Sequence, residues 1–79
     1  MPMYFFDVLE RDGKVTHDII GVELEGPHKA LEAASQAVID VVRDTGMQHS
    51  DFKIQVIVRD ESGKELGRRD AELRRSDQL

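Results

Sequence analysis

A two-layer α+β fold of order ββαββ, one helix on a mainly antiparallel sheet, is predicted by three features of the 79-residue chain. Two pairs of strand-like runs are each joined by a glycine-containing reversal, and a single segment with 3.6-residue periodicity lies between the pairs. The length allows one small core and no second domain.

The first strand is Met3 to Glu10, read as Met-Tyr-Phe-Phe-Asp-Val-Leu-Glu, and Arg11-Asp12-Gly13 supplies the turn that reverses it. Period two places Tyr4, Phe6 and Val8 on one face and Met3, Phe5, Asp7 and Leu9 on the other. Both faces are largely apolar, which suits a central position. Lys14 to about Ile20 is the expected return strand. Gly21 then introduces a bend or bulge, so this strand is expected in two pieces, with Val22 and Leu24 still packing on the core.

Gly26-Pro27 marks a helix start, because the fixed φ of proline suits the first helical position and its missing N–H is not needed there. Leu31, Ala34, Val38, Val41 and Val42, flanked by Ala30 and Ala37, form an apolar stripe opposite Lys29, Glu32, Gln36, Asp40 and Arg43. Gly46 is the natural stop. Phe52 to Asp60 alternates as a second good strand, with Phe52, Ile54, Val56 and Val58 on one face and Ile57 on the other. Asp60-Glu61-Ser62-Gly63 reverses the chain, and Lys64 to about Ala71 reads as a charged edge strand.

The two most apolar strands, the first and third, belong at the centre and antiparallel. This gives a sheet order of 2-1-3-4, with a mixed 1-2-3-4 sheet as the alternative. The domain is expected to span residues 1–73, followed by a disordered tail over 74–79. With one helix covering one face, Phe5, Leu9 and Ile57 are left on the other as the candidate interaction surface.

Composition excludes several chemistries. With no cysteine there are no disulfides, thiolate metal sites or cysteine nucleophiles. Met1-Pro2 leads directly into the first strand, and no apolar run approaches the roughly 20 residues a bilayer requires, so a cytoplasmic chain without membrane association is expected. The net charge of −5, from 16 acidic and 11 basic residues, opposes approach to phosphate backbones. Nucleic acid is not an expected partner. Arg68, Arg69, Arg74 and Arg75 nonetheless form a local basic end.

No catalytic constellation is evident. His17, His28 and His49 lack the short spacings of metal ligands, and the dispersed glycines form no phosphate loop. Asp7, between Phe6 and Val8, is the one candidate acid–base group, and the simpler expectation is that it faces solvent or an inter-strand Arg or Lys. No cofactor or metal is expected.

Met1-Pro2-x-Tyr4-Phe5-Phe6-Asp7, the turn at Asp12-Gly13, Asp18-x-x-Gly21-x-Glu23-Leu24, the alanine-rich helix and Val56-x-Val58-Arg59-Asp60-Glu61-x-Gly63 together resemble a small bacterial domain-of-unknown-function family. The resemblance covers about residues 1–66 and implies the fold, without implying an activity or any site residues. The hairpin followed by the helix Pro27 to Ala34 is also similar in character to HicB-type antitoxins. The Pro-Gly segment and the DNA-binding extension of those proteins are absent, so that likeness concerns the fold alone. A non-enzymatic interaction or regulatory module, self-associating as a homodimer or binding a protein partner through its open sheet face or edge, is the expected function. An antitoxin-like or nucleic-acid-linked regulator is the alternative.

Overall fold

The computed structural model describes residues 1–10, 13–45, 51–74 and 76–78. The elements are β1 (Met3–Glu10), β2 (Val15–Thr16), β3 (Val22–Glu23), α1 (Pro27–Thr45), β4 (Phe52–Asp60) and β5 (Glu65–Leu73). One antiparallel sheet runs β2-β1-β4-β5, and β3 pairs with β1 on the same edge as β2.

The two apolar strands are central, as their two-sided patterns require. β1 and β4 pair from Tyr4–Asp60 to Glu10–Ile54, which realises the 2-1-3-4 order and not the mixed sheet. The return strand is the element that departs from expectation. Pairing stops after Thr16 and resumes only at Val22, so β2 holds Val8 and Leu9 while β3 holds Met3 and Tyr4. Leu24 packs on the core, but Val22 does not and is exposed.

Both described hairpin turns close in the same way. Glu10 N–H donates to Lys14 O and Gly13 N–H to Glu10 O, and Asp60, Lys64 and Gly63 repeat the pattern. Gly13 and Gly63 have φ of 88° and 87°, which a side chain would disfavour. Arg11 and Asp12, predicted as part of the first turn, lie outside the described residues. In the second turn the Asp60 carboxylate accepts from Ser62 N–H, Ser62 hydroxyl and Lys64 N–H.

Helix α1 begins where the sequence places it. Gly26 O accepts the first helical bond from Ala30 N–H, leaving Pro27 at the first helical position. The predicted stop at Gly46 lies outside the described residues. Ala30, Ala34 and Val38 are buried against Tyr4, Ile54, Val56 and Val58, with Phe6, Val8, Leu31, Val41 and Val42 around them. Alanines at the contact let the helix lie close to β4 and β5. Where Leu31 reaches the sheet, β5 carries Gly67, beside a bulge opposite Val58 and Arg59. Arg69 donates from Nε to Ser35 Oγ at 3.0 Å, tying the edge strand to the helix. No helix among the described residues is long and apolar enough to cross a membrane.

This core is small, so each of its members carries much of the stability. Ile54→Ala, at a side chain only 3% exposed, is expected to cost about 2–5 kcal/mol. Ile39→Ala, at a side chain 54% exposed on α1, is expected to change stability by about 0.5 kcal/mol or less. Urea denaturation of the two variants measures the contrast.

Candidate functional site

The outer sheet face, opposite the helix, carries Phe5, Asp7 and Leu9 from β1 beside Arg59, Ile57 and Gln55 from β4. A bare carboxylate in this setting is costly, and Asp7 is only 6% exposed. Its partner is the inter-strand arginine. Arg59 donates Nε to Asp7 Oδ2 at 2.7 Å and Nη2 to Asp7 Oδ1 at 3.1 Å, the forked geometry that suits a carboxylate. The guanidinium also lies over the Phe5 ring, 5.1 Å from its centroid.

The segment between β2 and β3 closes over this pair. Arg59 Nη2 donates to Asp18 O at 3.1 Å, and Asp18 N–H donates back to Asp7 Oδ1 at 3.1 Å. The Asp18 carboxylate then accepts from three backbone N–H groups: Phe6 at 3.1 Å, Ile20 at 3.1 Å and Gly21 at 3.0 Å. The Phe6 contact is the informative one. On the edge away from β4, β2 and β3 leave Phe5 to Asp7 of β1 without a strand partner, and the carboxylate takes the place of the missing ladder acceptor. Gly21, with φ of 74°, permits the tight return, and a Cβ there would lie 2.7 Å from Phe5 Cε2.

The electrostatics follow from these contacts. The Arg59 guanidinium holds the Asp7 carboxyl below the usual range, outweighing the opposing effect of burial. Burial raises the Asp18 carboxyl, yet the N–H groups of Gly21, Phe6 and Ile20 together carry it below its ordinary value. Asp7 in turn raises Arg59. His17 Nδ1 stands 3.6 Å from Asp7 Oδ1 with its side chain mostly exposed. Among the described residues, no buried side-chain polar atom lacks a hydrogen-bond partner and no group of acids and histidines is arranged to hold a metal ion.

The three predicted surface residues share this face without forming one apolar patch. Phe5 lies beneath Arg59, Ile57 sits between Asp7 and Arg68 in register, and Leu9 borders an open depression of about 480 Å³ with Glu10, Lys53, Gln55 and Glu72. All three are half-buried. The strongly exposed apolar side chains are elsewhere. Among the described residues Ile39 is on α1, while Met1, Val15, Ile19, Ile20 and Val22 belong to the edge formed by β2, β3 and the chain start, with Val15 on the face of Leu9 and Val22 on that of Tyr4. Ile19 and Ile20 are 87% and 81% exposed. The adjacent pair of isoleucines between Asp18 and Gly21 was the signal for them, hidden by the expectation that the first piece of the return strand runs on to about Ile20. His28 is exposed at the helix start, and His49 and Arg75 lie outside the described residues. The remaining basic residues of the C-terminal end are engaged: Arg68 with Glu65, Arg69 with Ser35 and Arg74 with Glu72.

Two predictions test this cluster. Asp18→Ala strands the part-buried Phe6 N–H, which is expected to cost about 1–3 kcal/mol and to speed exchange of that amide selectively. Gly21→Ala forces a side chain into positive φ at about 1–2 kcal/mol, with the Phe5 clash in addition. Thermal melts with amide exchange read both. The pH dependence has a definite sign. Asp7 and Asp18 are depressed below the ordinary 3.8 when folded, so their contribution is complete above that value and is lost as pH falls through the lower folded values. Melting temperature is expected to drop on acidification below about pH 4, with a shallower drop in Asp7→Asn.

No match was found among curated proteins or solved structures. A family model does match, over residues 3–70, and it spans β1, the β2–β3 segment, the helix, β4 and most of β5. Asp7, Asp18, Gly21 and Arg59, dispersed along that stretch, are brought together in one cluster on the outer face, and the chain belongs to the domain-of-unknown-function family DUF6894.

Proposed function

We propose that the protein is a non-catalytic docking module whose working surface is the β2–β3 edge. The observation that carries this is the pair Ile19 and Ile20, almost fully in water on a backbone pinned by Asp18 and Arg59. Exposed apolar side chains grouped at one place mark interaction surfaces in soluble domains. A loop already fixed in shape also loses little conformational entropy when it binds. Phe5 and the Arg59 cluster then serve as the platform beneath the loop.

The chemistry of the cluster supports a docking role over an acid–base one. Asp7 and Asp18 are carried below the ordinary carboxylate range, whereas a general acid or base at neutral pH needs a carboxyl raised toward 7. The internal pairing of Arg68, Arg69 and Arg74 also weighs against the basic end as a nucleic-acid surface.

Site-specific photo-crosslinking in cells that make the chain tests the docking surface. A photoreactive apolar residue at position 20 is expected to give discrete protein adducts, and the same residue at Glu32, on the exposed side of α1, few or none. Equal yields from the two positions would overturn the docking function.

A further inference from the structure

We infer that the free edge of β5, together with the groove between β5 and α1, takes an extended peptide segment of another protein as an added strand, with an acidic residue two positions from a large apolar one on the groove side. This surface lies at the opposite edge of the sheet from Ile19 and Ile20 and is independent of the docking function proposed there.

Among the described residues the sheet ends at β5, which pairs with β4 alone. Its register is regular from Gly67 to Leu73, so the alternate N–H and C=O groups turned away from β4 form a row over seven residues, whereas β2 and β3 are two residues each. Main-chain bonds to such a row hold an added strand, and pockets for its alternate side chains select its sequence. A groove of about 370 Å³ supplies the pocket, lined by Ser35, Val38, Ile39 and Val42 of α1 and by Arg69 and Ala71 of β5. No described residue of β4 lines it, so it opens on the free edge. Toward Gly67 it is shut, since Leu31 lies 2.7 Å from where a Cβ on that glycine would stand.

Charge identifies the segment. Of the described arginines, Arg43, Arg59, Arg68 and Arg74 each pair with a carboxylate, and Arg69 does not. Arg69 is half-buried at the groove and held by two uncharged acceptors, Ser35 Oγ at 3.0 Å and Arg68 O at 2.8 Å. Asp70 also borders the groove, but it stands on the opposite face of β5, in register with Gln55. A carboxylate carried in by an added strand completes a cross-strand ion pair with Arg69. Ala71 follows Arg69 on the same face, beside Val38, Ile39 and Val42, and leaves room for a large apolar side chain two positions from the acid. A second copy of β5 fits poorly. On that face it offers Gly67, Arg69, Ala71 and Leu73, which bring a second arginine and no acid. An amphipathic helix would fill the groove and leave the strand edge unused.

Selection of a displayed library of random peptides on the full chain tests the inference. Enriched sequences are expected to carry Asp or Glu two positions from Leu, Ile, Phe or Val, and the bound peptide is expected to slow amide exchange in β5 while leaving β3 unchanged. Ile39→Glu, at an exposed position on the groove wall, should weaken the selected peptides by about 10-fold or more without changing the melt. Arg69→Glu should weaken them similarly and be rescued by peptides in which Lys replaces the acid, a restoration that a misfolded variant could not give. Ile20→Glu, on the far edge, should bind them as the wild type does, so failure here and failure of the β2–β3 docking function are separate results. Absence of enrichment overturns the inference. Apolar positions enriched at i, i+3 and i+4 spacing, which marks a helix, or binding indifferent to both Ile39→Glu and Arg69→Glu, overturns it equally. Self-association of the wild type that Ile39→Glu abolishes overturns it in favour of a second copy.

Discussion

Arg59 is the point on which the outer half of this domain turns. Its side chain emerges in the middle of a sheet face where Phe5 and Ile57 are neighbours, and it meets three demands at once. The fork neutralises Asp7, the second nitrogen fixes the Asp18 carbonyl, and the guanidinium plane covers Phe5. Asp7 could not remain nearly buried without that partner, since an unpaired carboxylate in apolar surroundings would cost several kcal/mol. Asp18 depends on the same arrangement, because its N–H is satisfied by Asp7 and its carbonyl by Arg59.

The cluster also explains how the sheet tolerates a broken edge. A two-residue strand contributes little by itself, and β2 and β3 are both of that length. They act as one edge because the Asp18 carboxylate bridges the interval, accepting from Phe6 in β1 and from two amides of its own loop. A side chain supplies what a ladder normally supplies. Segments far apart in sequence are thereby tied across β1, which adds order to a domain whose helix covers mainly β4 and β5.

Local signals in the sequence revealed the framework. Alternation identified β1 and β4, three- and four-residue spacing identified α1, and glycine-centred reversals identified both hairpins, because each depends on nearby residues. Period two groups Tyr4, Phe6 and Val8 on one face, and the structure sets that face against the helix. The Arg59 cluster was not legible in this way. Asp7 was expected to face solvent or an inter-strand Arg or Lys, but that partner is Arg59 only because β1 and β4 pair in this register, and Asp18 reads locally as a weakness in its strand rather than as an acceptor for β1. The same blindness concealed Ile19 and Ile20. As strand residues they would have alternated between faces, whereas in the loop both stand outside the sheet. Phe5, Leu9 and Ile57 were correctly assigned to the outer face, but the arginine beside them changes what that face presents.

The stretch from His17 to Gly21 reverses nothing: β2 and β3 run the same way, both antiparallel to β1, yet the six steps from Thr16 to Val22 cover what β1 covers in four from Val8 to Tyr4. Elsewhere this same sequence joins antiparallel strands by tight turns that end in Gly13 and Gly63, each closed by two backbone hydrogen bonds. A straight return strand of the kind begun at Val15 would have paired its backbone groups in the ladder with β1. The chain instead interrupts the strand and places a carboxylate where the ladder should be. It sets a part-buried ion pair beside that carboxylate, an element that rarely improves stability over well-packed apolar residues. None of this is needed to form the sheet. It does hold two adjacent isoleucines in water at a position fixed by Asp18 and Arg59, the feature on which the proposed docking function rests.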